Sequence, residues 1–260
     1  MRSPMNETVQ VEQVGSVEIS FTERGSGRPV VVLHGGAGPM SVVPWAELLA
    51  RTRPAQVITP IHPGFMATPR PDALTDIRGV ARAHAALLRK LGLERVALIG
   101  NSIGGWIAAE LALYAPELVD KLVLVDAVGI AVPGHPVADV FSIPLDELAR
   151  LSYHDPARFR IDPTKLSPEQ KAVMAGNFAT LRLYGAGMTD AGLRERLRAL
   201  ATPTLVVWGE ADRIADHAYG RAYADAIPGA RFQLLAGTGH VPQIETPELL
   251  ADTVWPFISP

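Results

Sequence analysis

The chain has 260 residues, 48% of them apolar and 20% charged, with a formal net charge of −3 at pH 7. That length suits one large α/β domain with an insertion better than two independent folds, and no basic block speaks for a nucleic-acid or anionic-membrane partner. There is no cysteine, which excludes disulfides, thiolate metal sites and a cysteine nucleophile.

The chain opens on MRSPMNETVQ, a polar stretch without the apolar core of a signal peptide. No apolar run approaches the ~18 residues that a bilayer span needs. A soluble, cytoplasmic protein is expected. Short β-branched runs then recur: VEISF (17–21), VVVL (30–33), QVITPI (56–61), VALIG (96–100), LVLVDA (122–127), TLVVWGE (204–210) and RFQLLAG (231–237). They are continuous rather than alternating, as strands read when both faces of a parallel sheet are covered. Helical spacing fills the gaps at 72–93, 103–119, 217–229 and 246–258. Gly92 sits where a C-cap belongs, Pro116 marks the end of the second helix, and Thr246 with Pro247 predicts an N-cap and a first helical position. Strand–helix alternation predicts a mostly parallel, doubly wound sheet with its site at the carboxyl ends of the strands.

One stretch breaks the rhythm. From about 128 to 200 there is no convincing strand, prolines recur at 133, 136, 144, 156, 163 and 168, and helix-like pieces such as PLDELARL and SPEQKAVMAGNFATLRLY appear. It is too long for a loop in a compact domain. The expected organisation is a core of residues 1–127 and 201–260 with a helical cap inserted at 128–200.

The strongest chemical signal is Gly100-Asn101-Ser102-Ile103-Gly104, between the strand VALIG and the helix IGGWIAAELAL. In that context a sharp turn projects a serine hydroxyl at the end of the sheet, beside the positive end of a helix. A serine needs a base, and His240, in Gly237-Thr238-Gly239-His240 after the last strand, is the best placed of seven histidines. His84, within a helix, and His217, at a helix start, read as structural or solvated; His135 and His154 lie in the insertion, within reach of a substrate but read as solvated. The imidazole needs a carboxylate on its other nitrogen, and Asp212 follows the strand TLVVWGE; Asp126 and Asp216 are rivals. Acyl transfer also needs donors for an oxyanion. The backbone N–H groups of Ile103 and of Gly36, in the loop His34-Gly35-Gly36-Ala37-Gly38, are the candidates.

Together HGGAG, GNSIGG, GEADR and GTGHVPQIETP resemble the α/β-hydrolase superfamily over most of the chain, with the insertion as its variable cap. The order Ser102, Asp212, His240 is the one that fold uses. The resemblance implies a serine hydrolase of a small hydrophobic ester or similar acyl compound, with no metal and no organic cofactor. GNSIGGW and the compact cap are also similar to hydrolases that cleave carbon–carbon bonds of meta-cleavage products, for which Arg158 and Arg182 are candidate anchors of a dienoate. A slow receptor-like hydrolase and a perhydrolase are further readings. Met66 stands where relatives often carry glycine and is expected to project toward the pocket. Other substrate contacts are expected from Gly35, Phe141, Tyr184 and Val241. Of the cap's apolar residues (Val140, Phe141, Ile143, Leu148, Phe178, Leu181, Tyr184, Met188), at least half are expected to pack the cap onto the sheet, and Trp106 is expected in the core.

Overall fold

The computed structural model describes residues 9–259; the first eight residues of the polar opening stretch lie outside the described residues. An eight-stranded sheet runs through the molecule in the spatial order β1-β2-β4-β3-β5-β6-β7-β8. The strands are β1 (Gln10–Val14), β2 (Val17–Gly25), β3 (Arg28–Leu33), β4 (Ala55–Pro60), β5 (Val96–Asn101), β6 (Val119–Val125), β7 (Thr204–Gly209) and β8 (Arg231–Leu235). β1 pairs antiparallel with β2 and β2 antiparallel with β4; from β4 to β8 every pairing is parallel. The central strands are apolar on both faces because both faces are covered. Val30, Val32, Val123, Val125 and Val207 face one core, and Val31, Leu33, Leu98, Leu122, Leu124 and Val206 face the other.

Helices α1 (Val43–Thr52), α2 (Ile77–Lys90), α3 (Ile103–Tyr114), α4 (Leu145–Ser152), α5 (Pro156–Phe159), α6 (Pro168–Tyr184), α7 (Leu193–Arg196), α8 (His217–Asp225), α9 (Pro242–Glu245) and α10 (Pro247–Ile258) complete the order. α1 and α10 cover one face; α2, α3 and α8 cover the other. α3 is buried on nearly all sides, including Glu110, so it lacks the polar stripe of a surface helix. Trp106 is 5% exposed and belongs to the core, as expected. Two elements do not stand out in the sequence. β1 is a mostly exposed edge strand with polar residues among its valines, and α1 hides its amphipathic pattern behind a proline in its first turn.

The predicted boundaries differ at the ends. α2 begins at Ile77, where the Asp76 side chain accepts from Gly79 N–H at 2.7 Å, and not at 72. Thr246 precedes α10, yet its hydroxyl lies 3.0 Å from Thr238 Oγ1 and does not cap the helix.

Between β6 and β7 the chain adds no strand to the sheet among the described residues; it holds α4 to α7, tied at its base by a parallel bridge between Gly129 and Thr189. One face of α6 docks on the turn after β4. Asn177 Oδ1 accepts from Met66 N–H (2.8 Å), Thr180 Oγ1 donates to the Gly64 carbonyl (3.0 Å) and Tyr184 Oη donates to the Pro63 carbonyl (2.8 Å). These positions are three and four apart, one above another on a helix. α6 is thereby held against the turn at the carboxyl end of β4.

The strand order also locates a crevice. After β4 the chain crosses back over β3 to form β5, so β3 and β5 are neighbours whose following helices cover opposite faces. The loops after these two strands open there, as at any reversal of a doubly wound sheet.

Candidate active site

The loop after β5 turns through Ser102, whose backbone is left-handed at φ 56, ψ −121. A non-glycine residue holds such a conformation only when its surroundings over-determine it. Ser102 N–H donates to Val125 O (2.9 Å), and Ser102 O accepts from Gly105 and Trp106 N–H (3.0 and 3.3 Å) at the start of α3. Gly104 makes the turn possible: a Cβ there would sit against the carbonyl oxygens of Leu33 and His34. Gly35 has a similar duty, since a Cβ on it would lie 3.2 Å from the Ser102 Cβ. The loop after β3 therefore runs directly past the serine.

His240 comes from the loop after β8, three strands from β5, a lateral distance of roughly 14 Å at ordinary strand spacing. The loop closes that gap by folding back over the end of β7. Glu210 N–H donates to Leu235 O (2.9 Å) and Ala211 N–H to Thr238 O (2.8 Å). His240 Nε2 then lies 3.0 Å from Ser102 Oγ, and His240 Nδ1 lies 2.8 Å from Asp212 Oδ2. The other oxygen of Asp212 accepts from Ile214 and Ala215 N–H at 2.8 and 3.2 Å, which fixes the carboxylate's direction. All three side chains are buried. Hydroxyl, imidazole and carboxylate form one hydrogen-bonded line, the arrangement in which a base accepts a hydroxyl proton while a carboxylate holds the ring in its Nδ1–H tautomer.

The rivals occupy other places. Asp216 caps α8, accepting from Tyr219 N–H at 2.9 Å, and its second oxygen lies 2.7 Å from His135 Nδ1. Asp126 ends β6, fully buried, with Oδ1 accepting from Gly209 N–H at 2.8 Å. One donor atom each from Asp126, Asp212 and His240 lies within 4.8 Å of the others, the single cluster of metal-ligand type among the described residues. In it His240 Nδ1 and Asp212 Oδ2 are already bonded to each other. His84 is not solvated: it is buried in a stack with His34 and His62 beneath the Gly35–Gly36 loop.

A cavity of about 190 Å³ opens on Ser102 and His240. Gly35, Gly36 and Val241 line it, and the insertion supplies more than half of the lining residues. Among the described hydrogen bonds, the N–H groups of Gly36 and Ile103 have no protein acceptor. Five of the eight apolar cap residues (Val140, Leu148, Phe178, Leu181, Met188) reach the cavity, more than the sequence suggested. Three expected contacts do not. Met66 lies outside it: at φ 53 it takes the left-handed turn that glycine would make easily, and its N–H is spent on Asn177. Phe141 faces a separate outer groove under the Arg182 guanidinium, 4.8 Å from its ring. Tyr184 is buried with its hydroxyl on Pro63. Neither Arg158 nor Arg182 lines the cavity.

Sequence reasoning also missed residues that hold the histidine. Asn101 Nδ2 donates to His240 O (3.1 Å), and Gln243 Nε2 donates to Asn101 Oδ1 (3.0 Å). Ser152, at the end of α4, accepts His240 N–H through its carbonyl at 2.7 Å. Glu245 accepts from the N–H groups of Gly239 (2.6 Å), His154 (3.1 Å) and Asp155 (2.9 Å), pinning the histidine loop to the insertion. The only sequence signal was position: Asn101, Gln243 and Glu245 lie within the motifs GNSIGG and GTGHVPQIETP, while Ser152, in the insertion, carried none.

Residues 30–253 match the profile of the alpha/beta hydrolase family. A 2-hydroxymuconate semialdehyde hydrolase of Pseudomonas putida is 30% identical over 91% of this chain and 89% of its own. A 2-hydroxy-6-oxo-6-(2'-aminophenyl)hexa-2,4-dienoic acid hydrolase of Metapseudomonas resinovorans is 29% identical over 99% of this chain and 94% of its own. Among solved structures, a meta-cleavage product hydrolase of Pseudomonas fluorescens IP01 superposes with a TM-score of 0.75 over 95% of this chain and 96% of its own, at 20% identity.

Proposed function

Because the chain belongs to the alpha/beta hydrolase family, we propose that this hydrolase attacks a carbonyl carbon with Ser102, using His240 as base and Asp212 as the carboxylate that orients it. The observation that carries the reading is the continuous line Ser102 Oγ–His240 Nε2 (3.0 Å) and His240 Nδ1–Asp212 Oδ2 (2.8 Å), open on one side to the cavity. His240 takes the Ser102 proton as Oγ bonds to the carbonyl carbon. The oxyanion that forms rests on the N–H groups of Gly36 and Ile103. His240 returns the proton to the departing group, and a water activated by the same histidine releases the acyl group from Ser102. Residues 128–200 act as a cap that roofs the cavity and selects the substrate.

The reaction we favour is cleavage of a carbon–carbon bond beside a ketone in a meta-cleavage-type product. The support is that relatives matching along nearly the whole chain are named as hydrolases of dienoates and of 2-hydroxymuconate semialdehyde. In that reaction the departing carbon leaves with the bonding electrons, which the conjugated dienoate delocalises, and receives its proton from the imidazolium. A second reading, ester cleavage, has its own support. Among the described residues no lysine or arginine lines the cavity, so a carboxylate there would depend on backbone N–H groups and neutral donors. Steady-state turnover of 2-hydroxy-6-oxo-2,4-heptadienoate and of p-nitrophenyl esters of graded chain length separates the two. The expected result is dienoate turnover that falls at least about a thousandfold in Ser102→Ala. Efficient esterase activity without dienoate turnover favours the ester reading. Unchanged turnover in Ser102→Ala overturns the nucleophile.

A further inference from the structure

Directly behind the site lies a buried acid that the mechanism does not use. Asp126 has no exposed surface. Its backbone is left-handed at φ 47, and its N–H donates to Val207 O at 3.0 Å, so the end of β6 is bent to place this side chain. Oδ1 accepts from Gly209 N–H, while Oδ2 is buried without a donor to accept from. An isolated buried carboxylate oxygen is costly, and two carboxylates this close in a dry site cannot both be charged. Asp212 has a ring N–H and two backbone N–H groups to hold its charge. Asp126 has one. The proton therefore resides on Asp126, on Oδ2, where Asp212 is its acceptor. Burial, and then the charge of Asp212, push the Asp126 carboxyl well above the usual carboxylate range, in agreement with that placement.

We propose that Asp126 is a reserve acid of this site: a neutral carboxyl that donates to Asp212 and becomes the partner of His240 when Asp212 is removed. The inference rests on the assignment of Ser102, His240 and Asp212 made above. Its geometry is the cluster in which a carboxylate oxygen of Asp126, one of Asp212 and a ring nitrogen of His240 all lie within 4.8 Å of one another. In Asp212→Ala the like charge is gone and the volume beside the ring is free. Asp126 then gives its proton to solvent, its carboxylate turns into that space, and Oδ2 accepts from His240 Nδ1–H. The site again holds one negative charge behind the histidine.

A double-mutant cycle tests this, with kcat measured on whichever of the two substrate classes the wild type turns over. Asp126→Asn keeps an acceptor for Gly209 N–H and a donor for Asp212, and alone should lower kcat about threefold. In the Asp212→Ala background the same substitution should cost at least about thirtyfold more, because there Asp126 carries the charge. An equal factor in both backgrounds assigns Asp126 a merely structural part and overturns the proposal. So does an Asp212→Ala enzyme already as inert as Ser102→Ala. Should the double variant fail to fold, the low-field proton resonance of His240 Nδ1–H decides: its presence in folded Asp212→Ala supports the proposal and its absence overturns it. Full turnover by Ser102→Ala would instead remove the nucleophile assignment, a failure distinguishable from either result.

Discussion

His62 Nδ1 lies 2.8 Å from His84 Nε2, in a fully buried stack beneath the loop that carries Gly35 and Gly36. Hydrogen-bond accounting assigns every proton in it. His62 N–H donates to His34 Nε2 (3.1 Å), so His34 carries its hydrogen on Nδ1 and gives it to Gly35 O (2.8 Å). His62 Nε2 donates to His34 O (2.9 Å), which leaves His62 Nδ1 to accept from His84. His84 Nδ1 is then a bare, buried acceptor without a donor. Three neutral rings thus brace the first residues of the loop whose Gly35 and Gly36 line the cavity.

The stack makes stability depend on pH. Burial holds His34 and His84 well below the usual range, helped by the neighbouring His62, and burial holds His62 at about 4. The unfolded chain takes up protons below about 6.5 that the folded chain refuses. Stability is therefore fully present above about 6.5 and is lost as pH falls toward 4, with His62 alone accounting for about 3 kcal/mol of the loss. Urea unfolding at pH 7.5, 5.5 and 4.5 should show this decline, and His84→Gln should make it shallower. Constant stability across the range would contradict the neutral stack.

Glu245 joins the histidine loop to the insertion through three backbone N–H groups. Removing it leaves Gly239 N–H without its acceptor, one residue before His240. Glu245→Ala is expected to cost about 1–3 kcal/mol of stability. It should also lower kcat about tenfold with little change in KM, because the loss falls on the orientation of His240 and not on the cavity lining. A larger effect on KM than on kcat would argue that Glu245 acts on the substrate instead.

Leu181 is 4% exposed, lines the cavity and presses on the loop: a Cβ on Gly36 would meet its Cδ2 at 2.6 Å. Leu181→Ala should destabilise the protein by about 2–4 kcal/mol and enlarge the cavity beside Ser102. The accompanying expectation is a shift of the acyl-length optimum, in p-nitrophenyl ester turnover or competitive inhibition by carboxylic acids, toward longer chains. An unaltered optimum would place the acyl group elsewhere in the cavity.

Tyr184→Phe tests how α6 is held. It removes only the hydroxyl that reaches Pro63 O, leaving a buried carbonyl without its donor. The melting temperature should fall by an amount corresponding to about 1–2 kcal/mol, while kcat on the preferred substrate stays within about twofold. A large catalytic defect would show that Tyr184 does more than dock the helix.

The chain's own order of residues was enough for much of this protein. Continuous β-branched runs announce strands covered on both faces, and the parallel sheet from β4 to β8 follows. Gly-Asn-Ser-Ile-Gly between a strand and a helix announces the strained turn at Ser102, because the exclusion at Gly100, where a Cβ would meet the Gly104 carbonyl, is a local matter. The position of Asp212 and His240 after successive strands was equally legible, since a parallel sheet delivers every such loop to one end.

Contacts between distant segments were decided only in three dimensions. Met66 and Tyr184 look like pocket residues in a sequence, yet Asn177 claims the N–H of Met66 and Pro63 the hydroxyl of Tyr184. Asp126 and Asp212 are rivals on paper; folded, they lie side by side, and Asp212 alone is bonded to His240 Nδ1 and to two backbone N–H groups. His34, His62 and His84 belong to three separate elements, and nothing in their spacing foretells a common stack. Local chain stiffness and periodicity are written in neighbouring residues and can be read there. Which buried polar atom finds which partner depends on how whole elements pack, and that is settled only when the chain has closed on itself.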